Sequence, residues 1–211
     1  MKGIKIKLLS AAICVILTLG VVLAIRGFSF FVNLVEDFRG YDYEAKIAKG
    51  YDWVGPKRGE IVDTSLLLNS DDVPLSKIQK KDLLVLTVVD PECGACKITR
   101  DQFRFLSENL KENGIGYYTV TFSPNVSPVQ LSEYVKSLGL NSDSLAWSNG
   151  LETVLPSLKS IAYPTHILID SNGAVIKSFP GTSYDKNVRD RMVREVVRQV
   201  IDEKNRSNSE H

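Results

Sequence analysis

The residues best suited to chemistry in this 211-residue chain are Cys93 and Cys96, separated by Gly94-Ala95. Two thiols three positions apart on a helix lie one turn from each other on the same side, and there they can close a small, reducible ring. The apolar run Leu83-Leu84-Val85-Leu86-Thr87-Val88-Val89 reads as a strand before them. A helical pattern with Phe103, Phe105, Leu106 and Leu110 starts near Lys97 and runs to about Glu112. A Cys-x-x-Cys pair at such a junction points to dithiol redox chemistry. Cys93 falls at the helix start, where unpaired backbone N–H groups and the dipole favour an anion, so a nucleophilic thiolate is expected there. Two other readings stay open. Half of a structural zinc site needs four ligands, and beyond the pair the chain has only Cys14, His166 and His211 to offer. A pair of inert buried cysteines is the second.

The elements that must position this pair begin with the chain's N-terminus. Lys2, Lys5 and Lys7 precede a stretch without charge from Leu8 to Ile25, closed by Arg26. As a helix these residues span roughly 27 Å, close to the hydrocarbon thickness of a bilayer. The lysines argue that the short N-terminal side stays cytoplasmic and the bulk of the chain is exported. Residues 1–26 are therefore expected to be a cytoplasmic stub and a transmembrane anchor, with a cleaved signal peptide as the rival. Cys14 is read as a small apolar residue of that helix. Residues 27–50 read as a juxtamembrane helix or linker, broken by Gly40 and Gly50. The formal net charge of +1 offers no nucleic-acid surface, so no such partner is expected.

Residues 51–203 carry the folded domain. Glu60 to Leu68 has β character, and Asn69-Ser70-Asp71-Asp72 is a turn. The strand at 83–89 shows no alternation, which suits burial on both faces. Ile115–Phe122 is the next strand, Val129–Leu138 a helix, Ser144–Trp147 a short strand, and Leu151–Ile161 a short helix interrupted by Pro156. Thr165–Asp170, the turn Ser171-Asn172-Gly173 and Ala174–Phe179 form a hairpin. Val188, Met192, Val193, Val196, Val197, Val200 and Ile201 make the apolar stripe of a last helix. Residues 204–211 are expected to be a disordered tail, polar from Arg206 onward.

Two segments, Asp90-Pro91-Glu92-Cys93-Gly94-Ala95-Cys96-Lys97 and Tyr163-Pro164-Thr165-His166-Ile167-Leu168-Ile169-Asp170-Ser171-Asn172-Gly173, resemble the redoxin branch of the thioredoxin superfamily. The likeness is to membrane-anchored, extracytoplasmic thiol-disulfide oxidoreductases of the TlpA-like kind, and it covers about residues 51 to 203. It implies an α/β, thioredoxin-like fold, a central mixed sheet flanked by helices, behind an N-terminal transmembrane helix. It implies Cys93 as nucleophile and Cys96 as resolving thiol, with no cofactor and no metal. Pro164 matches a proline that faces the cysteines through a cis peptide bond, beside which Tyr163 and an extended substrate segment can pair. The implied partners are exported proteins with disulfides or thiols, such as apocytochrome c or an assembly factor, and a membrane redox donor. The implied activity is disulfide reduction, with disulfide donation as the alternative.

This chain also departs from the family. Glu92 stands where relatives have an aromatic residue before the first cysteine, and its carboxylate either selects substrates by charge or is simply a solvated acid. Thr87 stands where many relatives hold a buried acid, so proton transfer to Cys96 is expected to use water or another group. His166 reads as a sheet residue. A peroxidase of the peroxiredoxin kind wants Thr or Ser where Asp90 stands. A copper-delivery protein of the Sco kind wants one more residue between the cysteines.

Overall fold

The structure is a computed structural model that describes residues 55–209 except 79, 124, 142, 143, 149, 159 and 184. The chain divides into two compact units, Met1–Tyr51 and Asp52–His211. The expected anchor, Cys14 and the linker lie outside the described residues, as do residues 210–211. Among the described residues no helix is long and apolar enough to cross a membrane.

The second unit is built on a mixed sheet of five strands in the order β3-β2-β1-β4-β5. They are β1 (Leu83–Val88), β2 (Gly116–Thr121), β3 (Leu145–Trp147), β4 (Thr165–Asp170) and β5 (Val175–Pro180). β1 is central and every residue in it is buried, as suits a sequence apolar at every position but Thr87. It runs parallel to β2 and antiparallel to β4, and the β4–β5 pair is an antiparallel hairpin. At the hairpin turn Asp170 Oδ1 accepts the backbone N–H groups of Asn172 and Ala174, both at 2.8 Å. Gly173 has φ 82°, and a Cβ there would lie 2.4 Å from the Val62 carbonyl oxygen, so the position admits no side chain.

Alternation divides the core in two. Val85 and Val89 of the central segment face a cluster with Cys96, Phe103, Leu106, Leu110, Leu168 and the apolar stripe of the last helix. Leu84, Leu86 and Val88 face the other way, toward Val62, Leu67, Leu75, Leu151, Val154 and Leu155. Helices cover the first face: α2 (Gly94–Ile98), α3 (Arg100–Glu112), α4 (Pro128–Ser137) and α6 (Lys186–Ser209). The second face is covered by irregular chain with two single-turn helices, α1 (Leu75–Ile78) and α5 (Leu151–Val154). A fully buried Leu or Val on either face contributes about 1.5–3 kcal/mol.

Several expectations need correcting. Glu60–Leu68 is not a strand. It begins against β5, where Val175 N–H donates to Glu60 O at 2.8 Å, and ends against β3, where Leu68 and Trp147 exchange bonds at 2.9 and 2.8 Å. These strands are the two edges of the sheet, so the segment crosses the sheet and pairs only at isolated bridges. The helix after the cysteines starts at Gly94, earlier than Lys97, and breaks at Thr99. The Thr99 hydroxyl donates to Ala95 O at 2.7 Å, a back-bond of the kind that bends helices. The helix expected over 151–161 stops at Val154. The tail expected to be disordered continues α6 to Ser209. There Arg198 pairs with Glu195 and Asp202, and Arg206 with Glu203, so same-face ion pairs sustain a polar helix end.

Candidate active site

Register explains how residues far apart in sequence meet. In the antiparallel β1–β4 pair, Val88 stands opposite Thr165. The chain leaving β1 and the chain entering β4 therefore run side by side at one end of the sheet. Asp90 to Cys93 leave there, and Tyr163-Pro164 enter there, with the peptide bond between them cis. Cys93 is the N-cap of α2, half-buried, and its thiol points at the Tyr163 carbonyl oxygen 3.9 Å away.

Cys96 sits one turn on and is fully buried. Both cysteines are free thiols. The Cys96 sulfur is within hydrogen-bond reach of Cys93 and of the Asp90 backbone N–H. Burial pushes the Cys96 thiol far above its ordinary range. The Asp90 N–H bond opposes that shift, and the charges of Cys93 and Asp90 add to it. Tyr134 of α4 donates its hydroxyl to Cys96 O at 3.3 Å, beneath an Arg100 guanidinium 5.5 Å from its ring centre. The arrangement is one reachable thiol with a second, shielded thiol behind it. Chemically it can attack a sulfur that approaches Cys93 and then close a ring.

No family model matches the chain, and no curated protein matches it either. Solved structures do. A SCO1/SenC family lipoprotein from Bacillus anthracis is 18% identical, with 67% of this chain and 94% of that one covered and a TM-score of 0.49. A thioredoxin family thiol:disulfide interchange protein from Chlorobium tepidum is 14% identical, with coverage of 68% and 99% and a TM-score of 0.46. BsSco, a member of the Sco family of cytochrome c oxidase assembly proteins, is 17% identical, with coverage of 72% and 98% and a TM-score of 0.47.

The other candidates from the sequence separate by position. Glu92 lies at the rim with its side chain 81% exposed, 3.9 Å from Lys97, an ion pair too solvated to contribute much to stability. Thr87 and His166 are buried opposite each other in β1 and β4, the hydroxyl 2.9 Å from Nδ1. Burial holds the imidazole neutral down to about pH 4, with an edge-on contact to Phe103.

Four residues at the site escape a sequence reading. Gly181 N–H donates to Pro164 O at 3.0 Å, and the Thr182 hydroxyl meets that of Thr99 at 2.8 Å. Together they tie the proline segment to the cysteine helix from 83 residues away, with no local pattern to announce it. Tyr134 looks like one more apolar position of an amphipathic helix. Asp90 does carry a signal, since an Asp just before proline at a strand end is a turn former.

Proposed function

We propose that this chain is a thiol-disulfide oxidoreductase of the thioredoxin superfamily. The observation that carries this reading is the pairing of a half-buried Cys93 thiol, aimed at the backbone beside Pro164, with a fully buried Cys96 in reach behind it. In the reduced protein, the Cys93 thiolate attacks one sulfur of a target disulfide. The target's other sulfur leaves as a thiol, and a mixed disulfide forms. Cys96 then attacks Cys93, the Cys93–target bond breaks, and the second target thiol is released with Cys93–Cys96 oxidised. Two electrons have passed to the target, and a membrane redox donor restores the dithiol.

The reducing direction, and exported proteins such as those of cytochrome c maturation as targets, follow the resemblance to TlpA-like proteins. So does the placement of the domain on the outer side of the cell membrane, anchored by residues 8–25. Tyr163, Pro164 and Glu92 line the approach to Cys93 and are the proposed substrate contacts. The test is to replace each cysteine singly in cells. Cys96→Ser should trap a mixed disulfide with the target through Cys93, and Cys93→Ser should trap none. Trapping by neither variant would overturn the reading.

A further inference from the structure

The proposed exchange leaves one proton without a destination. Cys96 attacks only after losing its proton, yet it sits in a fully buried position that disfavours charge. The groups that face it are Cys93, Asp90, Tyr134 and, across the mouth of the site, Tyr163. Cys93 is already bonded to the target at that stage. Tyr134 is a phenol whose hydroxyl is committed to Cys96 O, and burial raises its pKa. Burial, followed by the negative charge of Asp90, does the same to Tyr163. Beneath them, His166 is bonded to Thr87, and Tyr117 lies against Thr119 at 3.5 Å, so both belong to the sheet. Glu92 and Lys97 face solvent, and Arg100 lies over the outer side of Tyr134.

Asp90 is the one carboxyl in this group, and three of its polar groups wrap the active-site turn. Its N–H reaches the Cys96 sulfur. Its carbonyl oxygen accepts Cys93 N–H at 3.0 Å, and its Oδ1 accepts Glu92 N–H at 2.8 Å. These bonds fix the turn around a half-buried Asp90, whose negative charge is felt at the Cys96 sulfur.

We propose that Asp90 is the general base of the resolving step. The inference rests on the dithiol reading above. The Asp90 carboxylate takes the Cys96 proton as Cys96 attacks Cys93. The Cys93–Cys96 bond forms, the Cys93–target bond breaks, and the target sulfur leaves with the electron pair. Asp90 returns the proton to that thiolate or to water.

The full chain, reduced, is mixed with 4,4′-dithiodipyridine in a stopped-flow instrument. Attack by Cys93 releases one thiopyridone, and closure by Cys96 releases a second. Asp90→Asn keeps an oxygen for Glu92 N–H. It should leave the first release within about threefold of the parent and slow the second about 10²-fold at pH 7, the usual scale of a general base. Its second phase should then rise tenfold per pH unit as hydroxide replaces the carboxylate. Asp90→Ser, which also keeps an acceptor, should behave alike, and Asp90→Glu should fall between. A second phase unchanged in Asn and Ser variants, or both phases slowed equally, would overturn the assignment. If the parent itself shows no second release, the dithiol reading fails instead.

Discussion

The thiol of Cys93 faces the carbonyl oxygen of Tyr163 at 3.9 Å, across 70 residues of sequence, while Cys96 one turn away has no exposure at all. One helix start therefore holds two thiols in different solvents. Iodoacetamide added to the native, reduced protein should alkylate Cys93 and spare Cys96 by at least about tenfold in rate. Denaturant should abolish that ratio, because both thiols then meet water. Peptide mass spectrometry at short labelling times reads the two sites separately. Equal labelling in the native state would mean that Cys96 is open.

Gly181 is where the β5–α6 connection passes closest to Pro164. A Cβ at this position would lie 2.9 Å from Pro164 Cγ, 3.0 Å from His166 Nε2 and 3.0 Å from Pro164 O. Ring and backbone atoms cannot swing aside as a flexible side chain would. Gly181→Ala is expected to destabilise the fold by about 1–3 kcal/mol, the usual cost of overpacking, and to lower Tm by several degrees. Gly94→Ala is the control, since nothing lies within 4 Å of a Cβ there. It should be neutral or slightly stabilising. Thermal melts of both variants check the contrast.

These two sites mark how far sequence reaches. Cys93, Cys96 and Pro164 are legible because each sits at the end of a strongly apolar strand. Once β1 and β4 pair, their ends must meet. The antiparallel hairpin was legible from Ser171-Asn172-Gly173 for the same local reason. The tie through Gly181 and Thr182 was not, because each bond in it joins segments with no shared periodicity. Nor was the course of 60–68, where Ile61, Val62, Leu66, Leu67 and Leu68 supply the composition of a strand. Composition fixed that the segment would be partly buried. It did not fix that the segment would cross the sheet instead of lengthening it.

His166 makes a prediction about acid. Burial lowers its pKa from 6.5 to about 4, because the imidazolium would lose its hydration and gain no counter-ion. Between those values the unfolded chain binds a proton that the folded chain refuses. The stability His166 brings is complete above pH 6.5 and declines as pH falls toward 4, by on the order of 3 kcal/mol across the window. His166→Gln removes the titration. Urea midpoints measured from pH 7 down to pH 4 should therefore fall more steeply in the parent than in this variant. Parallel curves would show that the imidazole is not held neutral.

Thr99 joins the two halves of the cysteine helix to the chain after β5. Its hydroxyl proton is committed to Ala95 O at 2.7 Å, so in the 2.8 Å contact with Thr182 the proton comes from Thr182. The chain of donors thus ends on a carbonyl between the two cysteines. Valine has the same shape without the oxygen. Thr99→Val breaks both bonds and should cost about 1–3 kcal/mol, since the half-buried Ala95 carbonyl loses a donor and Thr182 loses its acceptor. Thr182→Val should cost less, because Thr99 keeps its bond to Ala95. The double variant should cost less than the two losses added, with a coupling of about 0.5–1.5 kcal/mol. Denaturant titrations of the four proteins measure it. Additive losses would mean that the hydroxyls touch without supporting each other, and that the cysteine helix holds its place against Pro164 through packing alone.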